Sequence, residues 1–376
     1  MTAWAFGKAG VDHPELFRAL SNSALQRIEE FSPQGLSNLV WAFATVAWSA
    51  PEPLCYAVAK VAFSRISEFN EHDLAMTAWA FAKTGVSHPK LFHGLAAASF
   101  LKMGNFSEQD LANIAWAFAK AGVSHPELFR ALSTTALQRI GEFSSQGLSN
   151  LAWAFATTAW SVPQPVFHAV AKEALPRICE FNQLGLTMTA WAFAKVGVSH
   201  PELFKALSIT ALQRIDEFSS QGLSNLAWAS VQADLIPTRE SDQLLEAIAV
   251  RARQQNWSVL KPEFGPPSPS AVEARCAELV QQWIHGSTRN RYFMGFELDI
   301  VFEADDGTLI NLEIDEPYHG APKQSAIDGR RDSFLNRCGV HVVRFPAFDE
   351  SGPLREDCEE PAFRALLRNR RLLSGK

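Results

Sequence analysis

An α-solenoid of helical hairpins followed by a small α/β domain is the fold class the sequence predicts, and three observations predict it. The tetrad Trp-Ala-Phe-Ala, counting two imperfect copies, returns at Trp4, Trp41, Trp79, Trp116, Trp153, Trp191 and Trp228, at intervals of 37 or 38 residues. A fixed period in this range marks a stacked array, in which no unit buries its apolar face alone and neighbours complete one another's core. Inside each unit, start and stop signals bracket two helices. After Trp228 the period decays, a proline-dense stretch intervenes, and residues with strand periodicity follow.

Residues 107–143 illustrate the unit. Ser107-Glu-Gln-Asp110 reads as a helix start, with Ser107 as N-cap and a carboxylate in the first turn. Ser32-Pro33 puts proline at the first helical position of the equivalent helix. The helix runs through Leu111, Ile114, Trp116 and Phe118 to Lys120, and Gly122 fits the left-handed residue that closes it. Ser124-His-Pro-Glu127 opens the second helix, with Glu127 placed for a capping box. That helix carries Leu128, Phe129, Leu132, Leu137 and Ile140 and is expected to end near Phe143. Residues 24–43 nearly recur at 136–155, and 49–54 echo 161–166, both 112 residues later, so a three-unit block has been duplicated. Met1-Thr-Ala-Trp4 matches Met76-Thr-Ala-Trp79 and Met188-Thr-Ala-Trp191. From this we expect the chain to begin inside a unit, its first repeat truncated, with any address signal lying upstream.

The totals narrow the choice. At 376 residues and 47% hydrophobic content the chain can bury a large core. No run of about 18 uncharged apolar residues is present, which argues against a membrane span. Net charge is −6, with 19 Lys and Arg against 21 Asp and Glu over residues 1–260 and 15 against 19 over 261–376. Neither part has the basic excess common in nucleic-acid binders, so the placement of charge matters more than its sum. Cys55, Cys179, Cys276, Cys338 and Cys358 form no CxxC pair, which fits a reducing compartment and argues against a zinc finger.

Several columns repeat with the tryptophans. Fourteen residues upstream each complete unit is basic: Arg27, Arg65, Lys102, Arg139, Arg177 and Arg214. Such a column can track a phosphate backbone. It can equally form local ion pairs with Glu30, Glu68, Glu142, Glu180 and Glu217, each worth roughly 0.2–0.5 kcal/mol. Three residues upstream the column reads Asn38, Met76, Asn113, Asn150, Met188, Asn225, and four downstream Lys8, Thr45, Lys83, Lys120, Thr157, Lys195, Gln232. These positions lie seven apart, on one face of the first helix. Variation against a fixed frame is what base-by-base reading by helical repeats requires, with Asn contacting base edges and Lys reaching acceptors or phosphate. The alternative is Asn packed within the array and Lys in solvent. The tryptophans fit core or inter-repeat packing better than a stacking platform. His13, His88, His125 and His200, each beside proline, read as helix-start residues rather than metal ligands.

This array resembles the octotricopeptide-type (OPR-like) repeats of organellar RNA-binding proteins. The likeness rests on the period, the opening Pro33-Gln34-Gly35-Leu36-Ser37-Asn38 and the Trp-Ala-Phe-Ala core, and covers about the first 235 residues. The proline cluster followed by Glu-Trp of that family is reduced here to His-Pro-Glu-Leu-Phe. The resemblance implies single-stranded RNA as partner, with ribosomal or other RNP proteins beside it, in a mitochondrion or chloroplast.

The expected division is an array over 1–235, a closing helix within 236–260 with Leu244, Leu245 and Ile248 inward, a Pro-rich linker over 261–270, and an α/β domain over 271–376. In the last, a helix (270–285) precedes a strand at Phe296–Glu303. Asp306-Gly307 signals a hairpin turn. A second strand, Thr308–Asp315, puts Ile310, Leu312 and Ile314 on one face and Asn311, Glu313 and Asp315 on the other. A helix at about 325–338 stops at Gly339, and Val340–Phe345 is a buried strand, giving the order α-β-β-α-β. Asp299 and Glu313, on the two hairpin strands, are candidate ligands of a divalent cation such as Mg²⁺, and His319 a candidate for orienting water or protonating a leaving oxygen. The bland alternative is a solvated turn at Asp315-Glu316-Pro317 and an exposed Asp299.

Leu312-Glu-Ile-Asp-Glu-Pro-Tyr-His319, Asp328-Gly-Arg-Arg-Asp-Ser-Phe-Leu335 and Gly339-Val-His-Val-Val-Arg-Phe345 look like the RAP domain. That domain often closes organellar RNA-binding repeat proteins and is similar to restriction-endonuclease-like folds. The resemblance implies Asp299 and Glu313 as the nuclease carboxylates and His319 as a Vsr-like histidine. Asp315 stands where that motif usually carries lysine. Three readings follow: an organellar RNA-binding protein of RNA processing, stability or translation; a metal-dependent ribonuclease guided by the array, with Asp299, Glu313, Asp315 and His319 catalytic; and a protein-binding helical scaffold.

Overall fold

A computed structural model of the chain describes residues 2–11, 13–46, 51–158, 164–233, 238–255, 257, 271–304, 306–315, 322–349, 352–353, 356–370 and 372. The chain forms two compact units, Met1–Leu203 and Phe204–Lys376.

Unit one is a stack of two-helix repeats. First helices (Thr2–Ala9, Pro33–Thr45, Glu71–Thr84, Glu108–Lys120, Ser145–Thr157, Gln183–Val196) alternate with second helices (Pro14–Gln26, Glu52–Ser64, Pro89–Leu101, Pro126–Gln138, Gln164–Ala174). The first helices pack on one another in succession and form one layer; the second helices form the other. Alanines beside each tryptophan explain the first layer: Ala42, Ala78, Ala80, Ala115, Ala117, Ala152 and Ala154 are buried, and so small a side chain lets helices approach closely. Between layers, the phenylalanine of one second helix meets that of the following first helix edge-on. Phe17 meets Phe43 at 5.1 Å between ring centres, Phe92 meets Phe118 at 5.2 Å, Phe129 meets Phe155 at 5.6 Å and Phe167 meets Phe193 at 5.1 Å. Each such pair spans two repeats, so each repeat draws part of its core from the next.

The caps follow the sequence in the first helices. The side chains of Ser32, Asn70, Ser107, Ser144 and Asn182 accept the backbone N–H three residues on at 2.7–3.1 Å, which satisfies one of the free donors of each helix start. Gly122 closes its helix at φ +65. The second helices bear out the histidines as helix-start residues and correct the cap. Their N-cap is not Ser124 but His125, whose Nδ1 accepts the N–H of Leu128 at 3.3 Å; His13, His88 and His200 do the same at 3.2–3.3 Å. Proline at the first helical position keeps the preceding residue out of helical angles (His125 at φ −139, ψ 87), so the histidine rather than the serine stands at the boundary. The second helix also ends earlier than Phe143. It stops at Gln138, Arg139 takes φ −125, and a separate 3-10 turn spans Ile140–Glu142.

Unit two begins within the last hairpin. It holds the helices Ser220–Gln232 and Arg239–Gln254, the latter with Leu244, Leu245 and Ile248 buried. Helix Ala271–Trp283 leads to a four-stranded sheet of β1 (Thr288–Phe293), β2 (Phe296–Glu303), β3 (Leu309–Asp315) and β4 (Val340–Pro346), in that spatial order. The two hairpins are antiparallel, whereas β3 and β4 are parallel and joined by the helix Pro322–Arg337. Strand β1 and a final helix, Glu356–Asn369, are additions to the expected α-β-β-α-β order. The β1–β2 turn is Met294-Gly295, with φ of 52 and 80. It has the positive angles of a tight hairpin, but methionine carries no turn signal. Strand β3 is buried on both faces, Asn311 and Glu313 included, as a strand parallel to its neighbour usually is. Ile300, Phe302, Leu312, Ile314, Val343, Phe345, Phe363 and Leu367 belong to the domain's apolar core. The closing helices pack against this domain: Arg330 Nη2 donates to the Ala233 carbonyl at 3.0 Å and Arg253 Nη1 to that of Arg337 at 2.5 Å.

Candidate nucleic-acid interface

The tryptophans are neither core nor free. Trp4, Trp41, Trp79, Trp116, Trp153 and Trp191 in unit one are all half-buried. Trp4 and Trp41 lie 6.5 Å apart between ring centres, and Trp79–Trp116 and Trp116–Trp153 6.1 Å, tilted by 33–37°. The rings therefore pack between repeats and leave part of each indole to solvent. Asn38, Asn113 and Asn150 flank this ladder, half-buried; among the described residues their side-chain amides have no hydrogen-bond partner. On the other flank Lys83, Lys120 and Lys195 are exposed, and Lys8 and Lys83 lie 5.1 and 4.9 Å over the rings of Trp4 and Trp79. Seven residues before each tryptophan stands another exposed residue the sequence reading passed over: Gln34, His72, Gln109, Gln146 and Leu184. Its spacing, one heptad from the tryptophan, was the available signal. None of these columns carries an acidic residue, in a chain whose net charge is −6.

In unit two Asn225 accepts from Gln221 at 3.1 Å. A Cβ on Gly295 would lie 3.6 Å from Trp228 Cβ, so the β1–β2 turn sits against this last tryptophan.

The basic column is occupied differently. Arg27, Arg65, Arg139, Arg177 and Arg214 pair with the glutamate three residues on at 2.6–3.2 Å. Four members of the column also reach back one repeat. Arg65 donates to the Phe31 carbonyl at 2.8 Å, Lys102 to Phe69 at 2.5 Å, Arg139 to Phe106 at 2.6 Å and Arg177 to Phe143 at 3.0 Å. The cation thus satisfies a carbonyl at the end of a 3-10 turn and ties neighbouring repeats together.

In the C-terminal domain the hairpin register, with Ile300 opposite Leu312, brings Asp299 and Glu313 onto neighbouring positions of β2 and β3. Asp299 Oδ2 accepts the Ile314 N–H at 2.8 Å. Glu313 is 3% exposed. Its Oε1 accepts from Asn311 at 2.6 Å and its Oε2 from Arg331 at 2.6 Å. Asp315 pairs with Arg344, which also holds Asp332 at 2.7 Å. His319 lies outside the described residues. The structure therefore draws Asp299 and Glu313 together but engages Glu313 and Asp315 with arginines. These residues do not fit a divalent cation: both Glu313 oxygens are taken, and among the described residues no three His, Cys, Asp or Glu side chains converge on a metal position.

The protonation states follow from the arginine. Burial opposes the charge on Arg331, but Glu313 and Asp332 outweigh it and hold its pKa above the ordinary value. Burial raises Glu313 against the pull of Arg331 and Asn311. Burial and then the charge of Glu313 push Asp299 up to about 8, despite the Ile314 N–H. One guanidinium serves two coupled carboxyls, both raised by burial, so the pair keeps one proton between them. The folded state binds this proton up to pH 8, while the unfolded chain releases it near pH 4. The associated stability is full in acid and is lost as pH rises from about 4 to about 8. The expected slope is about 1.4 kcal/mol per pH unit. Hydrogen-exchange protection of the β3 amides, measured from pH 5 to 8, should fall with this slope and become flat in Asp299→Asn; equal slopes in both proteins exclude a proton retained by the pair.

Stacked two-helix units followed by a small mixed sheet define an α-solenoid repeat protein with an appended α/β domain. Residues 2–255, more than half of the chain, match the RNA-editing substrate-binding complex 6 protein (RESC6) family. The chain belongs to this family. No curated protein matches it. No helix among the described residues is long and apolar enough to cross a membrane.

Proposed function

We propose that this chain binds single-stranded RNA along the tryptophan face of its repeats and acts in organellar RNA processing as a subunit of an RNA-editing substrate-binding assembly. One observation carries the reading: a row of half-buried tryptophans flanked by unpaired Asn amides on one side and exposed lysines on the other, with no carboxylate in those columns. Aromatic surface, amides and cations together are what an unpaired strand offers partners to: base faces, base edges and phosphates. The name of the family supports the assembly, and the OPR-like resemblance supports the organelle, which we take to be the mitochondrion. The basic column at Arg27, Arg65, Arg139, Arg177 and Arg214 contributes in this reading mainly by fixing the spacing of the repeats. For the α/β domain the RAP-like reading stands beside it, as an RNA-binding module whose arginine-tied carboxylates support cleavage poorly. A protein-binding surface is favoured separately by Phe63, Phe100 and Leu101, exposed on the second helices, and suits a subunit with ribosomal or other RNP neighbours.

The test is fluorescence anisotropy of the full chain with labelled single-stranded RNA, duplex RNA and single-stranded DNA across a salt series. Single-stranded RNA is expected to bind tightest, with affinity falling as salt rises. Absence of binding at low ionic strength rejects the proposal.

A further inference from the structure

The tryptophan face is not uniform, and its variation has a period of three repeats. Asn38 and Thr45 beside Trp41 return as Asn150 and Thr157 beside Trp153. Met76 and Lys83 beside Trp79 return as Met188 and Lys195 beside Trp191. Between them, Trp116 carries Asn113 and Lys120. The threonine positions differ in backbone as well as in charge. Thr45 Oγ1 donates to the Ala42 carbonyl at 2.9 Å and Thr157 Oγ1 to that of Trp153 at 2.8 Å, so each turns back onto its own helix and presents no cation. Helices carrying Lys8, Lys83, Lys120 and Lys195 are followed instead by Gly10, Gly85, Gly122 and Gly197, all at φ between 64 and 72.

The rings of Trp79, Trp116 and Trp153 are 6.1 Å apart and those of Trp4 and Trp41 6.5 Å, less than the roughly 6.8 Å that two stacking steps of about 3.4 Å demand. A base therefore lies across the ladder rather than between two rings, and each repeat meets one base with its own flanking pair. An asparagine amide offers a donor and an acceptor, the pattern that fits the N6/N7 edge of adenine. A methionine thioether makes almost no directional demand; Met76 is buried and Met188 half-buried, so neither offers a base edge a donor or an acceptor.

We propose that the array reads RNA in a three-nucleotide register: adenine opposite Asn38, Asn113 and Asn150, and any base opposite Met76 and Met188, giving A-n-A-A-n along five consecutive repeats. This rests on the RNA reading above. The duplicated block of sequence is then a duplicated reading frame, and the ligand class is an unpaired strand of matching periodicity.

Selection of the full chain against a pool of random 12-nucleotide RNAs tests it. The enriched sequences are expected to show correlation between positions three apart, with adenine in the spaced pattern and free choice between. Met188→Asn should add adenine preference at the fifth position, about 5-fold or more in relative affinity, and Asn150→Met should erase preference at the fourth position alone. The gain in Met188→Asn keeps the test clear of misfolding. RNA retained tightly with no three-position correlation, or with preferences unmoved by both substitutions, overturns the register and leaves RNA binding standing. No RNA retained at all overturns both.

Discussion

Arg331→Met is expected to destabilise the C-terminal domain by about 3–5 kcal/mol, because it strands a buried carboxylate. Glu313 is 3% exposed and 2.6 Å from the Arg331 guanidinium, and its neighbour Asp299 adds more negative potential whenever it ionises. Without Arg331, Glu313 must either hold a charge in a poorly solvated site or take up a proton at neutral pH. The second variant, Arg331→Met with Glu313→Gln, separates charge from packing. Glutamine keeps an acceptor for Asn311 and removes the charge, so most of the lost stability should return. Hydrogen-exchange protection of the β3 and β4 amides in the full chain reads the domain without requiring the whole molecule to melt in one step. Parental protection in Arg331→Met means that Glu313 is neutralised by something other than this guanidinium. A double variant as weak as the single one means that packing of the arginine stem, not its charge, is what the domain needs.

The division between what the sequence disclosed and what it hid has a physical basis. The repeats were legible because every unit solves the same packing problem, so Trp, Ala, Phe and a capping Ser or Asn recur in register. The histidines were legible as helix-start residues, but their capping role was not: serine is the better-known N-cap, and only the backbone restriction before proline shifts the boundary by one residue. Strand β1 was hidden because its turn, Met294-Gly295, lacks the Asn or Asp that usually announces positive φ, and because Arg289 and Arg291 make it look like a solvated segment. Asp299 and Glu313 were found as candidates because strand alternation and hairpin register are local matters. Their arginines were not. Arg331 is 18 residues from Glu313 and Arg344 is 29 from Asp315; Arg331 stands on the crossover helix and Arg344 on β4, to which that crossover leads. A carboxylate motif read without that crossover suggests a cation site; with it, the cations are side chains already in place.

Replacing Lys83, Lys120 and Lys195 together by alanine is expected to weaken single-stranded RNA binding by about 100-fold at 0.1 M salt. Each phosphate contact on a single strand contributes about 0.7 to the slope of log affinity against log salt, which is about 5-fold per contact between 0.1 M and 1 M. Three lost contacts should therefore lower the magnitude of that slope by about 2. The three side chains are exposed, so melting of the array should be nearly unchanged. The basic column supplies the contrast. Gln in place of Arg65, Arg139 and Arg177 removes three ion pairs and three bonds to the preceding repeat, so it should lower stability while changing the salt slope little. The two triple variants carry the same change in net charge, so a general loss of electrostatic attraction affects them alike. Equal losses of slope in both would mean that RNA senses the charge of the array without a defined face, and the tryptophan ladder would then be packing alone.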